Sequence, residues 1–194
     1  MAEGPLAAGD LMGLEAYARA RPDYRARVLA HKAPRRIAIG PHATACFEDR
    51  LTVQYQIQEM LRIERIFEAD GIRAELDAYN PLIPDGGNLK ATLLIEYPDP
   101  ATRAVALARL RGVETCCWIE CAGRRVVAIA DEDLERANEQ KTSAVHFLRF
   151  ELGAGSRAAF AAGPVLIGIA HPAYNHAVAL SPASLAALAA DLDP

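Results

Sequence analysis

The sequence has no long hydrophobic run and no excess of basic residues, and each absence excludes a class of protein. No stretch approaches the roughly 18 apolar residues that a membrane-spanning helix needs. The N-terminal residues MAEGPLAAGDLMG lack the basic start and the apolar core of a signal peptide. The formal net charge of −4 gives no general attraction to nucleic acid. We therefore expect a cytoplasmic protein without a membrane or nucleic-acid partner.

Cysteine is also scarce, and the few cysteines are not spaced as ligands of a metal ion. Three of the four fall in CCWIEC (residues 116–121), which is not the C-x-x-C of zinc and redox motifs. In a strand, Cys117 and Cys121 face one side while Cys116 faces the other, so the three thiols cannot converge. The five histidines are scattered along the chain. We expect no bound metal and interpret the thiols as small apolar groups.

The usual motifs for cofactors and nucleophiles are missing as well. PDGGNLK (residues 84–90) lacks the G-x-x-x-x-G-K-[ST] spacing of a phosphate-binding loop, and it precedes a strand rather than a helix. No G-x-S-x-G nucleophile elbow occurs. We expect no nucleotide or other cofactor, and hydrolase chemistry has no support.

Residues 1–88 are mainly helical in pattern. Residues 11–32 predict helix, with Pro22 at the start of a second short one. RRIAIG (residues 35–40) predicts a short strand. Because neither proline nor glycine occurs between Pro41 and Gly71, residues 41–70 predict one long helix, or two in line.

The apolar stripe of this long helix contains one carboxylate. Apolar residues recur at helical spacing between Val53 and Phe67, and Glu64 lies among them. A carboxylate in such a stripe must be paired with a cation or reach water at an edge. We predict that Glu64 is at least half-buried and paired, with Arg149 as the first choice of partner and Arg36 as the alternative.

The second half of the chain shows an internal similarity. Residues 89–134, which begin LKATLLIEY, and residues 144–191, which begin AVHFLRFEL, both read strand, helix, strand, strand and the start of a helix. The three-residue connections AGR and AYN suit antiparallel hairpins, and each first helix is long enough for a parallel crossover. The sequence therefore predicts an α+β fold. In it, N-terminal helices, including one long helix, pack on mixed sheets formed by a duplicated βαββ unit, and residues 1–88 and 89–194 form one compact globular unit.

Charged residues on the long helix and on the strands could form a polar pocket between the two. The six candidates are Glu59, Arg62, Glu64, Lys90, His146 and Arg149. Two of these have simpler interpretations. Glu59 and Arg62 are spaced as a surface ion pair of a helix, and His146 shares a strand face with Leu148 and Phe150, as a hydrogen-bonded core histidine would.

The segment HKAPRR (residues 31–36) is the most basic short stretch of the N-terminal half. Its fixed charges are Lys32, Arg35 and Arg36. Three charges are few for binding nucleic acid. We interpret these residues as a candidate docking edge for a protein partner or an anion.

Several stretches together resemble the domain-of-unknown-function 3501 family. They are the segment from AHKAPRRIAIG to FEADGI, then AYNPLIPDGGNLKATLLIEY, ADEDLERANEQKTSAVHFLRFEL and HPAYNH. The chain departs from the family pattern at the cysteines of CCWIEC and at the second glycine of PDGG. The resemblance implies no catalytic residue. It implies a setting near rubrerythrin-like proteins and iron–sulfur oxidoreductases, in peroxide defence or electron transfer.

Two hypotheses of function follow, and the oligomeric state stays open. In the first, the protein is a non-catalytic partner or accessory subunit in a redox or peroxide-defence system, which docks a redox protein through the HKAPRR edge and the long helix. In the second, it is an enzyme or a small-molecule binder with a charged pocket between the long helix and the sheet. A pocket of convergent charged groups with strongly shifted pKa values would favour the second hypothesis, and a shallow open surface would favour the first.

Overall fold

The computed structural model describes residues 4–130 and 141–192, with the side chains of all of these except 154–157. Within this part of the chain, the α-helices are α1 (Leu14–Lys32), α2 (Arg50–Glu64), α3 (Ala69–Tyr79), α4 (Pro100–Arg109), α5 (Gly153–Ala162) and α6 (Pro182–Ala189). The strands form two sheets. The first contains β1 (Arg36–Ala38), β2 (Ala43–Phe47), β3 (Asn88–Ile95), β6 (Ile129–Ala130) and β7 (Val145–Glu151), and the second contains β4 (Cys117–Cys121), β5 (Arg124–Val127), β8 (Val165–His171) and β9 (Tyr174–Ala179).

The predicted α+β class is confirmed, but the predicted mixed sheets are wrong. The first sheet has the order β1-β2-β3-β7-β6 and the second the order β5-β4-β8-β9, and every pairing is antiparallel. Helix α4 leads from a strand of the first sheet to a strand of the second, and so does α5. Neither helix therefore connects two parallel strands of one sheet, which is what a mixed sheet would have required.

The two halves of the predicted duplication have the same order of elements. The first half runs β3-α4-β4-β5 and the second runs β7-α5-β8-β9. Strand β3 pairs with β7, and β4 pairs with β8. The duplication itself stays a prediction. Residues 131–134, which end the predicted first unit, lie outside the described part of the chain.

The prediction that residues 41–70 form one long helix, or two in line, is wrong. Residues 43–47 form β2, which pairs with both β1 and β3, and Gly71 lies inside α3. Helix α2 begins only after Asp49, whose carboxylate accepts a hydrogen bond from the Thr52 amide at 2.9 Å. It ends at Glu64, and the next residue, Arg65, has the left-handed backbone angle φ of 56°. The cap at Asp49 and the pairing of β2 decide where α2 begins. The lack of glycine and proline does not decide it.

The N-terminal region is therefore less helical than expected, since it supplies two strands of the first sheet. By contrast, α1 runs without a break through Pro22, where the sequence predicted a new helix. None of the helices in the described residues is both long and apolar enough to cross a membrane.

The main hydrophobic core lies between the two sheets. Inward side chains of the first sheet, such as Phe47, Leu93 and Phe150, join Ile119 and Ile167 of the second sheet in one buried cluster. A smaller cluster joins α2 to α3, and a third centres on Tyr17 of α1. The helices α2 and α3 thus have a core of their own beside the first sheet.

Candidate ligand cleft

The outward face of the first sheet carries the residues that do not enter the main core. Alternation along β3 turns Thr92 to this face, and the pairing places it between Cys46 of β2 and Phe147 of β7. Val145 lies two residues from Phe147, on the same face of β7. Helix α2 and the end of α3 stand over part of this face and leave a cleft between helix and sheet.

The cleft has a volume of about 230 Å³. Its apolar walls are Val53, Leu82, Val145 and Phe147. Its polar lining comes from five separate parts of the chain, namely Lys32, Glu48, Gln56, Tyr79 and Thr92. At about 30 Å³ for each water, the space equals that of about eight water molecules, which suits a small ligand.

The carboxylate of Glu48 is already held in place by two hydroxyl groups. Thr52 donates a hydrogen bond to one carboxylate oxygen at 2.6 Å, and Thr92 donates to the other at 2.9 Å. Both oxygens therefore have a donor before any ligand arrives. The Glu48 carboxylate is therefore a fixed, negatively charged group in the lining of the cleft.

Three other polar groups have no such partner. Within residues 4–130 and 141–192, no hydrogen bond or ion pair engages the Lys32 ammonium, the Gln56 amide or the Tyr79 hydroxyl. The Lys32 ammonium lies 5.8 Å from the centroid of the Tyr55 ring. All three residues are half-buried, so their donors face a restricted space rather than open solvent.

These groups match a small carboxylate in their chemistry. An ammonium, an amide N–H and a phenol are all hydrogen-bond donors, and a carboxylate accepts up to four such bonds. The apolar walls then suit a short hydrocarbon or an aromatic ring. Glu48 excludes a second negative charge next to Thr92, because like charges in a partly buried site repel.

The six residues of the predicted pocket do not converge, and none of them lines this cleft. Glu59 and Arg62 are together, but they belong to an ion cluster between α1 and α2. In it Arg21 donates two hydrogen bonds of 2.8 Å to the Glu59 carboxylate, Tyr17 donates one of 2.6 Å, and Arg62 donates one of 3.4 Å. This cluster joins the two helices.

The prediction for Glu64 is wrong. Glu64 is the last residue of α2 and is exposed to solvent. Arg149, its predicted partner, forms an ion pair with Glu151 on its own strand. The apolar stripe breaks where the helix ends, so Phe67 is also exposed, at 71% of its surface. Position 64 therefore needs no buried cation.

His146 and Lys90 have structural contacts. His146 is fully buried, and its Nε2 lies 2.9 Å from the Thr142 hydroxyl and 3.1 Å from the carbonyl oxygen of Ser143. This confirms the simpler interpretation of a hydrogen-bonded core histidine. The Lys90 ammonium donates to the carbonyl oxygen of Pro81 at 2.5 Å.

Of the three cations of the predicted docking edge, only Arg36 is exposed. Arg35 is only 4% exposed, and its guanidinium binds both carboxylate oxygens of Asp191, at 2.6 and 2.9 Å. It cannot contact a partner at the same time. Lys32 lines the cleft, and only Arg36 is an exposed cation on strand β1.

A second and larger cleft, of about 500 Å³, runs along α4. Its lining residues are Tyr97, Ala101, Thr102, Val105, Ala106, Arg109, Leu110 and Ala173. The Thr102 hydroxyl is occupied by Asp99, at 2.7 Å. The other polar side chains, Tyr97 and Arg109, lie along a mainly apolar wall. The smaller cleft therefore has more available hydrogen-bond donors for its size.

Three of the four thiols are not activated for redox or metal chemistry. Burial raises the pKa of the Cys46, Cys117 and Cys121 thiols, so they stay protonated at neutral pH. Cys117 and Cys121 point into the main core, as the strand alternation predicted. Among the described residues, no group of three or more His, Cys, Asp or Glu side chains could hold a metal ion. The expected lack of a metal stays a prediction.

Sequence reasoning placed a pocket between helix and sheet but missed most of the residues that line the cleft. Glu48 could not be assigned to the pocket from the sequence, because residues 41–70 predict one long helix, or two in line, rather than strand β2, which Glu48 follows. Gln56 and Tyr79 have no distinguishing local pattern. The one local signal is the alternation in LKATLLIEY, because a strand over these residues turns Thr92 to the face opposite Ala91 and Leu93.

A solved structure with the same fold has 54% sequence identity to this chain, and its description is "Crystal structure of novel protein of unknown function from BURKHOLDERIA PSEUDOMALLEI K96243 at 1.90 A resolution". The match has a TM-score of 0.92 and covers 97% of this chain and 99% of that chain. No match was found among curated proteins. The family model described as "Protein of unknown function (DUF3501)" matches residues 5–192. The chain therefore belongs to the DUF3501 family.

Proposed function

We propose that the protein is a binding module for a small carboxylate-bearing molecule, which it holds in the cleft between α2 and the first sheet. The observation that carries the proposal is the convergence of three unpartnered donors, on Lys32, Gln56 and Tyr79, beside apolar walls. A donor that is partly removed from water without a partner costs free energy, so a ligand that supplies the acceptor is favoured.

The ligand class is limited by size and charge. A single carboxylate with a hydrocarbon tail or one ring fills the available volume, whereas a phosphate-bearing nucleotide is too large for it. A dicarboxylate brings a second charge close to the Glu48 carboxylate, and we expect it to bind more weakly. Binding alone accounts for the geometry, and we assign no residue a catalytic role.

The cleft can be tested with acetate, butyrate, benzoate and succinate as probes, by isothermal titration calorimetry and by thermal melts with each probe. Butyrate or benzoate is expected to bind more tightly than acetate and succinate. Lys32→Met and Gln56→Leu are each expected to weaken that binding about tenfold, because a hydrogen bond to a charged group contributes roughly 1.5 kcal/mol or more.

Arg73→Met is the matched control for the loss of a positive charge. Arg73 lies on α3, and its guanidinium forms an exposed ion pair with Asp70 at 3.7 Å. Its loss should leave the affinity unchanged. If none of the four probes binds, or if Lys32→Met and Arg73→Met weaken binding equally, the cleft is not a carboxylate site.

We also propose a cytoplasmic location, which the sequence composition suggests, and an accessory role in a redox setting, which the family resemblance implies. Support for an accessory role comes from Cys46, Cys117 and Cys121, whose raised pKa values keep the thiols protonated and favour a partner of a redox protein over a thiol-based redox carrier. Such a partner would contact the exposed cation Arg36.

The accessory role makes its own prediction. A purified rubrerythrin-like protein or iron–sulfur oxidoreductase from the same organism is expected to bind this protein in calorimetry, and Arg36→Glu is expected to weaken the complex severalfold by reversing a charge at the contact. The absence of binding by both candidates would remove this role and leave the cleft unaffected.

A further inference from the structure

The cleft between α2 and the first sheet holds two opposite charges that are not paired with each other. The Lys32 ammonium and the Glu48 carboxylate both line it, and both side chains are half-buried. In the part of the chain that the structure describes, no ion pair joins the two groups, and the donors that Glu48 has are uncharged threonine hydroxyls. Charged groups that are partly removed from water without a charged partner cost free energy.

The two charges act on the same residue of the first sheet. Cys46 lies beside Thr92 on the outward face of this sheet. Burial raises the pKa of the Cys46 thiol, the charge of Glu48 adds to the rise, and the charge of Lys32 opposes it. Electrostatic effects weaken with distance and are screened by salt. Lys32 and Glu48 therefore belong to one small space rather than to separate surfaces.

The neighbouring cation Arg35 does not neutralise Glu48. Its buried guanidinium binds both carboxylate oxygens of Asp191 and lies 3.1 Å from the Asp49 carboxylate. Two carboxylates thus already share this cation, and the imidazole of His31 also contacts Asp49 rather than Glu48. A positively charged group that enters the cleft therefore meets a carboxylate without an ion-pair partner.

We infer that the ligand of this cleft is a zwitterionic α-amino acid with an apolar side chain. The inference rests on the proposed carboxylate site and adds the second charged group of the ligand. The amino-acid carboxylate accepts hydrogen bonds from Lys32, Gln56 and Tyr79, and the amino-acid ammonium group donates to Glu48. Each Glu48 oxygen already accepts one hydrogen bond, but a carboxylate has about four acceptor positions, so it still has places for the ammonium group.

The apolar walls and the volume limit the side chain of the ligand. Val53, Leu82, Val145 and Phe147 suit a branched aliphatic group. The volume equals that of about eight water molecules, which is close to the number of non-hydrogen atoms in valine. An ω-amino acid has no side chain to contact these walls, since its hydrocarbon chain only joins its two charges. The cleft therefore favours an α-amino acid of about the size of valine.

Valine and two analogues that each lack one of its charges test the inference on the wild-type chain. Isovalerate is valine without the ammonium group, and isobutylamine is valine without the carboxylate. In isothermal titration calorimetry, valine is expected to bind about tenfold more tightly than isovalerate, because its ammonium group adds a charge-assisted hydrogen bond. Isobutylamine uses none of the three donors of the carboxylate site and is expected to bind most weakly.

Glu48→Gln tests the residue that meets the ammonium group. Glutamine keeps the shape of the side chain and one carbonyl acceptor, and it removes the negative charge. The change is expected to weaken the binding of valine about tenfold and not to weaken that of isovalerate. Glu96→Gln is the matched control, because Glu96 also accepts a hydrogen bond from a threonine of the first sheet, Thr44, at 2.6 Å, but does not line the cleft. It should bind valine like the wild type.

The outcomes separate this inference from the proposed function. If isovalerate binds and valine binds no more tightly, the ligand is not an amino acid, and the carboxylate site stands. If neither binds, both the inference and the carboxylate site fail. Equal losses of valine affinity in Glu48→Gln and Glu96→Gln also overturn the inference, because Glu48 is then not the group that meets the ammonium. Should Glu48→Gln fail to fold, the comparison of the three ligands on the wild type still decides.

Discussion

Replacement of Arg35 by methionine is expected to lower the free energy of unfolding by about 3 kcal/mol or more, because it leaves buried carboxylates without their cation. Besides its two bonds to Asp191, the Arg35 guanidinium donates to the carbonyl oxygen of Ala187 at 3.1 Å and lies 3.1 Å from the Asp49 carboxylate. Burial raises the pKa of Asp191, and the neighbouring guanidinium opposes that rise. Without Arg35, Asp191 must stay charged and unpaired or take up a proton.

The neighbouring Arg36→Met is the control for this experiment. Arg36 is exposed on strand β1, and its loss should cost less than about 0.5 kcal/mol. Urea denaturation followed by far-UV circular dichroism measures both variants. Equal losses of stability would show that Arg35 is solvated and that residue 191 is not anchored to the N-terminal half.

The second large effect is expected at Glu59, where α1 meets α2. Its side chain is 12% exposed, and the hydrogen bonds from Arg21, with help from Tyr17 and Arg62, lower the pKa of the carboxyl to about 2. A carboxyl whose pKa falls from 4.5 to about 2 on folding contributes about 3 kcal/mol at neutral pH. Because the Arg21 side chain is one-third exposed, solvent screening reduces this to about 2 kcal/mol, which Glu59→Gln is expected to remove.

The same group makes a prediction for the dependence of stability on pH. The pKa of Glu59 is depressed in the folded state, so its contribution is complete above the unfolded pKa of 4.5 and is lost as the pH falls towards 2. The melting temperature of the wild type should therefore fall more steeply between about pH 5 and pH 2 than that of Glu59→Gln.

Glu64→Gln is the matched control, because Glu64 lies on the same helix and is exposed. Its melting temperature should follow the wild type at every pH. If the Glu59→Gln profile also runs parallel to the wild type, the contacts from Arg21 and Tyr17 do not persist in solution. A steep dependence lost in Glu64→Gln alone would instead restore the prediction that position 64 is paired.

Local patterns determined the elements whose signals lie in neighbouring residues. The alternation in LKATLLIEY predicted a strand, and β3 occupies Asn88–Ile95. The connections AGR and AYN predicted the hairpins β4–β5 and β8–β9, which are antiparallel. Side-chain alternation and turn residues act over a few positions, so they can be identified without knowledge of the tertiary structure.

Tertiary contacts decided the elements whose stability comes from distant partners. Residues 43–47 carry no glycine or proline, and they become a strand because β1 and β3 pair with both of their edges. Arg35 belongs to a basic run that is typical of a surface, and it is buried because Asp191, 156 residues further along the chain, packs against it. No pattern within a few residues records either partner.

The same distinction explains the candidate cleft and the face of the second sheet. Lys32 and Tyr79 come from different helices, and Thr92 comes from a strand, so only the packing of the helices on the sheet brings them together. Amino-acid order does determine that most outward positions of β8 and β9 are small, namely Gly168, Ala170, Ala177 and Ala179. Whether those positions face water or a core depends on which side of the sheet the helices cover, and that is a property of the folded chain alone.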